Sequence, residues 1–106
     1  MNHTKRTTVI AGNWKMNQTP AQAEQLLADL LPRVDNAGCE VVVCVPYVDL
    51  PAALAATANS TVKVGAQNCH WETSGAFTGE ISPAMLSAMG VGYVILGHSE
   101  RRTLFG

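Results

Sequence analysis

The sequence predicts an α/β fold in which parallel strands alternate with helices. Three observations predict it. Four short apolar runs, each about a strand in length, recur along the chain, at 8–11, 41–45, 62–66 and 93–96. The second and fourth are apolar at every position (VVVCV and YVIL). Such runs mark strands covered on both faces, as in a parallel sheet clothed by helices. Between the runs, apolar residues recur at helical spacing. The order β-α-β-α-β-α-β leaves two architectures open, a doubly wound sheet and a (β/α) barrel.

Each element has its own local cause. After the first strand, TPAQAEQLLADLLPRV places Leu26, Leu27, Leu30, Leu31 and Val34 on one stripe. Thr19 is placed to cap this helix, Pro20 suits its first position, and Gln22 stands where a capping-box partner belongs. Pro32 is expected to end or kink the helix near Leu31. A second helix is expected over 49–58. A third begins at ISPAML, with Ser82 as cap, Pro83 first, and Ile81 placed to staple against Leu86; Gly90 ends it. A fourth helix is expected to begin near Ser99.

Composition narrows the function. The net charge is −1 and there is no basic stripe, so nucleic acid is not an expected partner. The longest apolar runs are too short to span a membrane. The N-terminal MNHTKRTTVI lacks the apolar core and cleavage site of a signal peptide. Cys39, Cys44 and Cys69 are odd in number and lack C-x-x-C spacing. No metal site or disulfide framework is expected, and a cytoplasmic location is. Gly90, Gly92 and Gly97 have the wrong spacing for a dinucleotide loop and no P-loop is present.

Ligands of parallel α/β proteins bind at the carboxyl ends of the strands. There the first strand offers Asn13 and Lys15, and the fourth offers His98, Ser99, Glu100, Arg101 and Arg102. A lysine is most often a solvated surface residue. Lys15, between Trp14 and Met16 beside a buried strand, would instead carry a fixed positive charge into the strand mouth. That charge suits a phosphate or an oxygen that gains negative charge; position alone leaves the two readings even. A lone histidine is more often structural than catalytic. His98 follows a strand and precedes a helix start, where partial positive charge favours neutral imidazole. Glu100 reads as a carboxylate of the first helical turn, and the arginines as structural partners of nearby carboxylates. The third strand is followed by a long loop, QNCHWETSGAFTGE, whose apolar residues suggest a partner surface or a loop packed on its own sheet.

AGNWKMN, GAQNCHWETSGAFTGEIS and YVILGHSERR, in this order, resemble the triosephosphate isomerases, and the resemblance covers essentially the whole chain. It implies the N-terminal half of a (β/α)₈ TIM barrel, as a single domain over 1–106. It also implies proton transfer between dihydroxyacetone phosphate and glyceraldehyde 3-phosphate through an enediol(ate), a step of glycolysis and gluconeogenesis, with no cofactor. By the same resemblance, Asn13 and Lys15 bind substrate, Lys15 acts electrostatically, and His98 is the catalytic electrophile, as this family's histidine is described. Glu100 matches the glutamate near that lysine. Phe77, Thr78, Gly79 and Glu80 match the loop that enters the other subunit of a homodimer, and Arg101 would pair with Glu80 across that interface.

A complete barrel takes about 250 residues, so the chain is expected to be truncated after the start of its fourth helix. The family's glutamate base follows the sixth strand, and its glycine-rich phosphate cradle follows the seventh and eighth. The 106-residue chain alone is therefore expected to lack turnover. Two other readings stand beside this one: a half-barrel assembly module, and a sugar-phosphate-binding protein without catalysis. A coding sequence that continues past Gly106 would favour the first reading, and a genuine stop the others.

Overall fold

The computed structural model describes residues 6–106. Four parallel strands form one sheet: β1 (Val9–Asn13), β2 (Glu40–Val45), β3 (Lys63–Ala66) and β4 (Tyr93–Val94). They lie in sequence order, each added to the same growing edge. A doubly wound sheet reverses direction at a switch point; this one does not. The winding is that of a barrel, and the sheet is half of one. In register, Val9 faces Glu40, Val43 faces Val64, and Gly65 faces Tyr93.

Helix α1 (Pro20–Val34) begins as its sequence dictates. The Thr19 hydroxyl accepts from the Gln22 N–H at 3.3 Å, and the Gln22 side chain accepts from the Thr19 N–H at 2.9 Å. These satisfy N-terminal donors that have no partner within the helix. The helix does not end at Leu31. Pro32 lies inside its last turns, where it forfeits one backbone bond, and the Asp35 N–H still donates to the Leu31 carbonyl at 2.9 Å. Of the expected stripe, Leu27 is buried and Leu30, Leu31 and Val34 pack against the core, whereas Leu26 is exposed and Ala23, one turn earlier, is buried in addition. Helix α2 (Leu50–Thr57) follows a short 3₁₀ turn (Tyr47–Asp49). In α3 (Pro83–Met89) the Ser82 hydroxyl accepts from Met85 N–H at 3.2 Å, and Gly90 takes the left-handed conformation that closes the helix, φ 92°. Helix α4 spans Ser99–Phe105.

The core lies between the sheet and the helices. Leu27, Leu50, Ala53 and Leu86 pack there with Val43, Val45, Val64 and Ala66 from the strands. Gly65 lets β3 pack tightly against its neighbours. A Cβ built there would sit 2.8 Å from Cys44 Sγ and 3.1 Å from Tyr93 Cβ, so any side chain would force these neighbours to move. The expectation that the fourth run is buried on both faces is corrected. Its regular pairing stops at Val94, and Tyr93 and Val94 are only half-buried because β4 has a neighbour on one side alone. The other edge shows the same effect: every residue of β1 is exposed, Ile10 to 57 %. The three cysteines are free thiols, and Cys44 is buried.

Candidate active site

The strand ends converge on a cavity of 290 Å³ lined by Asn13, Lys15, Gln67, His98 and Glu100 with Tyr47 and Ile95. That volume is at the small end for a ligand site, about 300–1,000 Å³, and suits a small metabolite.

Strand β1 delivers Asn13 and Lys15. The Trp14 N–H donates to the Cys44 carbonyl at 3.0 Å, extending the ladder past the strand, and Trp14 packs against the core. Anchored there, the chain turns sharply, and Lys15 adopts a left-handed backbone, φ 57°. Few non-glycine residues do so. The Lys15 N–H donates to Asn13 Oδ1 at 2.9 Å, which leaves the Asn13 NH₂ as the donor end of that amide. Lys15 Nζ reaches Glu100 Oε1 at 2.7 Å. The hydrogen bond from Lys15 is the main reason that the Glu100 carboxyl sits below the ordinary carboxylate range.

His98 caps α4. Its Nδ1 accepts from the Glu100 N–H at 3.1 Å. A nitrogen that accepts is unprotonated, so the neutral ring carries its proton on Nε2. Glu100 Oε2 approaches the same Nδ1 at 3.8 Å, but the carboxylate's close partner is Lys15. The cavity thus offers an ammonium, an imidazole N–H and an amide NH₂, and Arg101 also contributes to its lining. Such a set stabilises negative oxygen. Among the described residues no cluster of His, Cys, Asp or Glu could hold a metal ion.

The long loop is pinned at its base. The His70 N–H donates to the Ile81 carbonyl at 2.8 Å, and the buried His70 ring stacks on Trp71 and Phe77, centroids 4.2 and 4.3 Å away. Residues 71–80 beyond it are all exposed, so Phe77, Thr78, Gly79 and Glu80 lie at the surface, outside the cavity. The alternative of a loop packed whole on its own sheet therefore fails beyond His70. Arg101 is also not tied to a carboxylate as expected. Among the described residues its guanidinium stacks 5.1 Å over the Phe105 ring, and neither it nor Arg102 is in an ion pair within 4 Å. Sequence reasoning missed Gln67 and Tyr47. Gln67 directly follows β3 and Tyr47 lies two residues past β2, both at the ligand-binding end, which was the available signal; the Tyr47 hydroxyl donates to the Asn68 carbonyl at 2.6 Å.

The family model for triosephosphate isomerase matches residues 8–106. The chain belongs to the triosephosphate isomerase family. It is 60 % identical over 100 residues to the triosephosphate isomerase of Clostridium botulinum (strain Loch Maree / Type A3), covering 94 % of this chain and 40 % of that protein. It is 55 % identical over 101 residues to that of Acetivibrio thermocellus, covering 95 % of this chain and 40 % of the relative. The crystal structure of triosephosphate isomerase from Bartonella henselae superposes with a TM-score of 0.86 at 38 % identity, over 94 % of this chain and 41 % of the other. The chain thus spans about 40 % of the length of the curated relatives it matches.

Proposed function

We propose that this chain supplies the electrophilic side of a triosephosphate isomerase active site. The observation that carries the reading is the meeting of the Lys15 ammonium, the His98 imidazole and the Asn13 amide around one small cavity. In the proposed reaction a carboxylate base removes a proton from the carbon beside the substrate carbonyl. Negative charge grows on the carbonyl oxygen as the enediolate forms. The Nε2–H of His98 donates to that oxygen, and the Lys15 charge stabilises both it and the phosphate. Asn13 donates to the substrate oxygens, and Glu100 holds Lys15 in place. A proton then passes from the neighbouring hydroxyl to the former carbonyl oxygen, and the proton taken from carbon is delivered to the former carbonyl carbon, so substrate and product are isomers and no cofactor takes part.

The same reading makes the whole protein a homodimer. The exposed loop bearing Phe77, Thr78, Gly79 and Glu80 enters the partner subunit, and Arg101 meets the partner's copy of that loop. Trp71 at 82 % and Phe105 at 72 % exposure support this, since large apolar groups left in water favour association. No helix among the described residues is long and apolar enough to cross a membrane, and the cytoplasm is the proposed location.

The test is an isomerase assay of the full-length protein on dihydroxyacetone phosphate, with His98→Gln beside it. Interconversion is expected, and the variant should lose kcat far more than it gains KM. A full-length protein without turnover, or a fully active His98→Gln, would overturn the reading.

A further inference from the structure

Gln67 is the first residue after β3, and its side chain crosses beneath the mouths of β2 and β1. Its Nε2 donates to the Lys15 carbonyl at 2.8 Å and to the Cys44 carbonyl at 3.1 Å, and lies 3.4 Å from Asn13 Oδ1. All three neighbours are acceptors, so the amide must present its nitrogen, not its oxygen. Lys15 is held in its left-handed conformation from both sides. Asn13 Oδ1 takes its N–H, and Gln67 takes its carbonyl. The first is a local contact two residues away. The second spans 52 residues and refers Lys15 to the sheet, because the same nitrogen grips Cys44 at the end of β2. A backbone conformation this uncommon persists only where its surroundings over-determine it. Without the clamp, Lys15 would relax, and the ammonium would leave its place between Glu100 and the cavity.

We propose that Gln67 is a positioning residue of this site, whose side-chain amide clamps the Lys15 backbone and so aims the ammonium. Resting on the isomerase reading above, Gln67 has no part in proton transfer and acts through Lys15 and Asn13. The test uses two variants of the full-length enzyme. Gln67→Met keeps length and removes the donor. Gln67→Glu keeps shape but turns a carboxylate oxygen against two carbonyl oxygens. Both should lower kcat/KM about 10–100-fold at pH 8, the scale expected when a catalytic group is displaced by about an ångström. Acidification should restore Gln67→Glu relative to the parent, because the protonated carboxyl regains an O–H donor, while Gln67→Met shows no such recovery.

A purely structural role would lower the melting temperature and leave the pH profile of the folded fraction unchanged, and that result overturns the proposal. A crystal structure of Gln67→Met provides a readout that needs no activity. Lys15 is expected to leave the left-handed region, and an unmoved Lys15 overturns the proposal. An inactive parent would instead sink the isomerase reading, with the structural readout still deciding the clamp.

Discussion

Lys15 concentrates the residue-scale argument. Its backbone is strained, its charge is paired with Glu100, and both features place one ammonium at the cavity wall. On the isomerase reading proposed above, in which the charge serves both bound phosphate and developing oxyanion, Lys15→Ala in the full-length protein should raise KM and lower kcat together. Lys15→Arg should restore only part, because a planar fork replaces a compact ammonium. Steady-state kinetics with both parameters unchanged in the alanine variant would return Lys15 to an ordinary surface lysine. Asp49 poses the opposite case, a charge that nothing compensates. Both of its carboxyl oxygens are buried without a hydrogen-bond partner, and burial pushes its pKa up from the ordinary 3.8. A carboxyl whose folded pKa is raised keeps its proton longer in the folded state. Stability is therefore full below the unfolded pKa and falls as pH rises through the folded one. Asp49→Asn should raise the melting temperature at pH 7 by a few degrees, since about 1 kcal/mol moves it by about 4–8 °C at this size. The gain should vanish below about pH 3.8, the ordinary value for the group. Thermal melts across pH decide this, and a less stable variant at pH 7 would show that the carboxylate has a stabilising role.

At the scale of elements, local chemistry was legible and tertiary surroundings were not. The Thr19–Gln22 capping box, the Ser82 cap and Gly90 act within a few residues, and a reader of the sequence can place them. Whether α1 ends or only bends at Pro32 is left open by its sequence, because packing on α2 and the sheet, which outweighs one missing backbone bond, is not a local signal. The half-burial of Tyr93, Val94 and Ile95 was not legible either, since apolar composition says what a strand prefers, not which neighbours it has. For the site, Lys15 and His98 stood out by type and position. Gln67 did not, because its role rests on contacts 52 and 23 residues away that no local pattern announces. The long loop belongs to this scale as well. His70 and its ring contacts pin the base and leave 71–80 in solvent. If that tip seats in a partner subunit, Thr78→Asp in the full-length protein places a charge in that interface without touching the His70 ring contacts. Sedimentation should then show monomers, with the loop base intact. An undisturbed dimer would mean that the tip is not part of the interface.

At the scale of the molecule, the four strands and their helices form a coherent half barrel whose two edge strands each have one free side. The core that holds it is real but lopsided: β2 and β3 are buried while β1 is open along its length. The chemistry is lopsided in the same way. Donors and positive charge line the cavity. Among the described residues the one carboxylate that lines it, Glu100, is tied to Lys15 at 2.7 Å and held in its ionised form by that bond. A carboxylate so engaged is a weak base, since the ammonium that stabilises its charge opposes its protonation. The purified 106-residue chain should therefore bind phosphate-bearing trioses weakly and interconvert them at no measurable rate. A positioned general base commonly supplies about 10²–10⁴-fold, and correct orientation of the reacting groups supplies more. The assay is a coupled measurement of glyceraldehyde 3-phosphate formed from dihydroxyacetone phosphate, run against Glu100→Gln to expose any use of that carboxylate. Turnover at an enzyme-like rate that survives Glu100→Gln would reveal a base outside this cavity, and turnover abolished by it would make this carboxylate essential, as base or as the anchor of Lys15. Either result would refute the division of the site into an electrophilic side, built here, and a basic side built elsewhere.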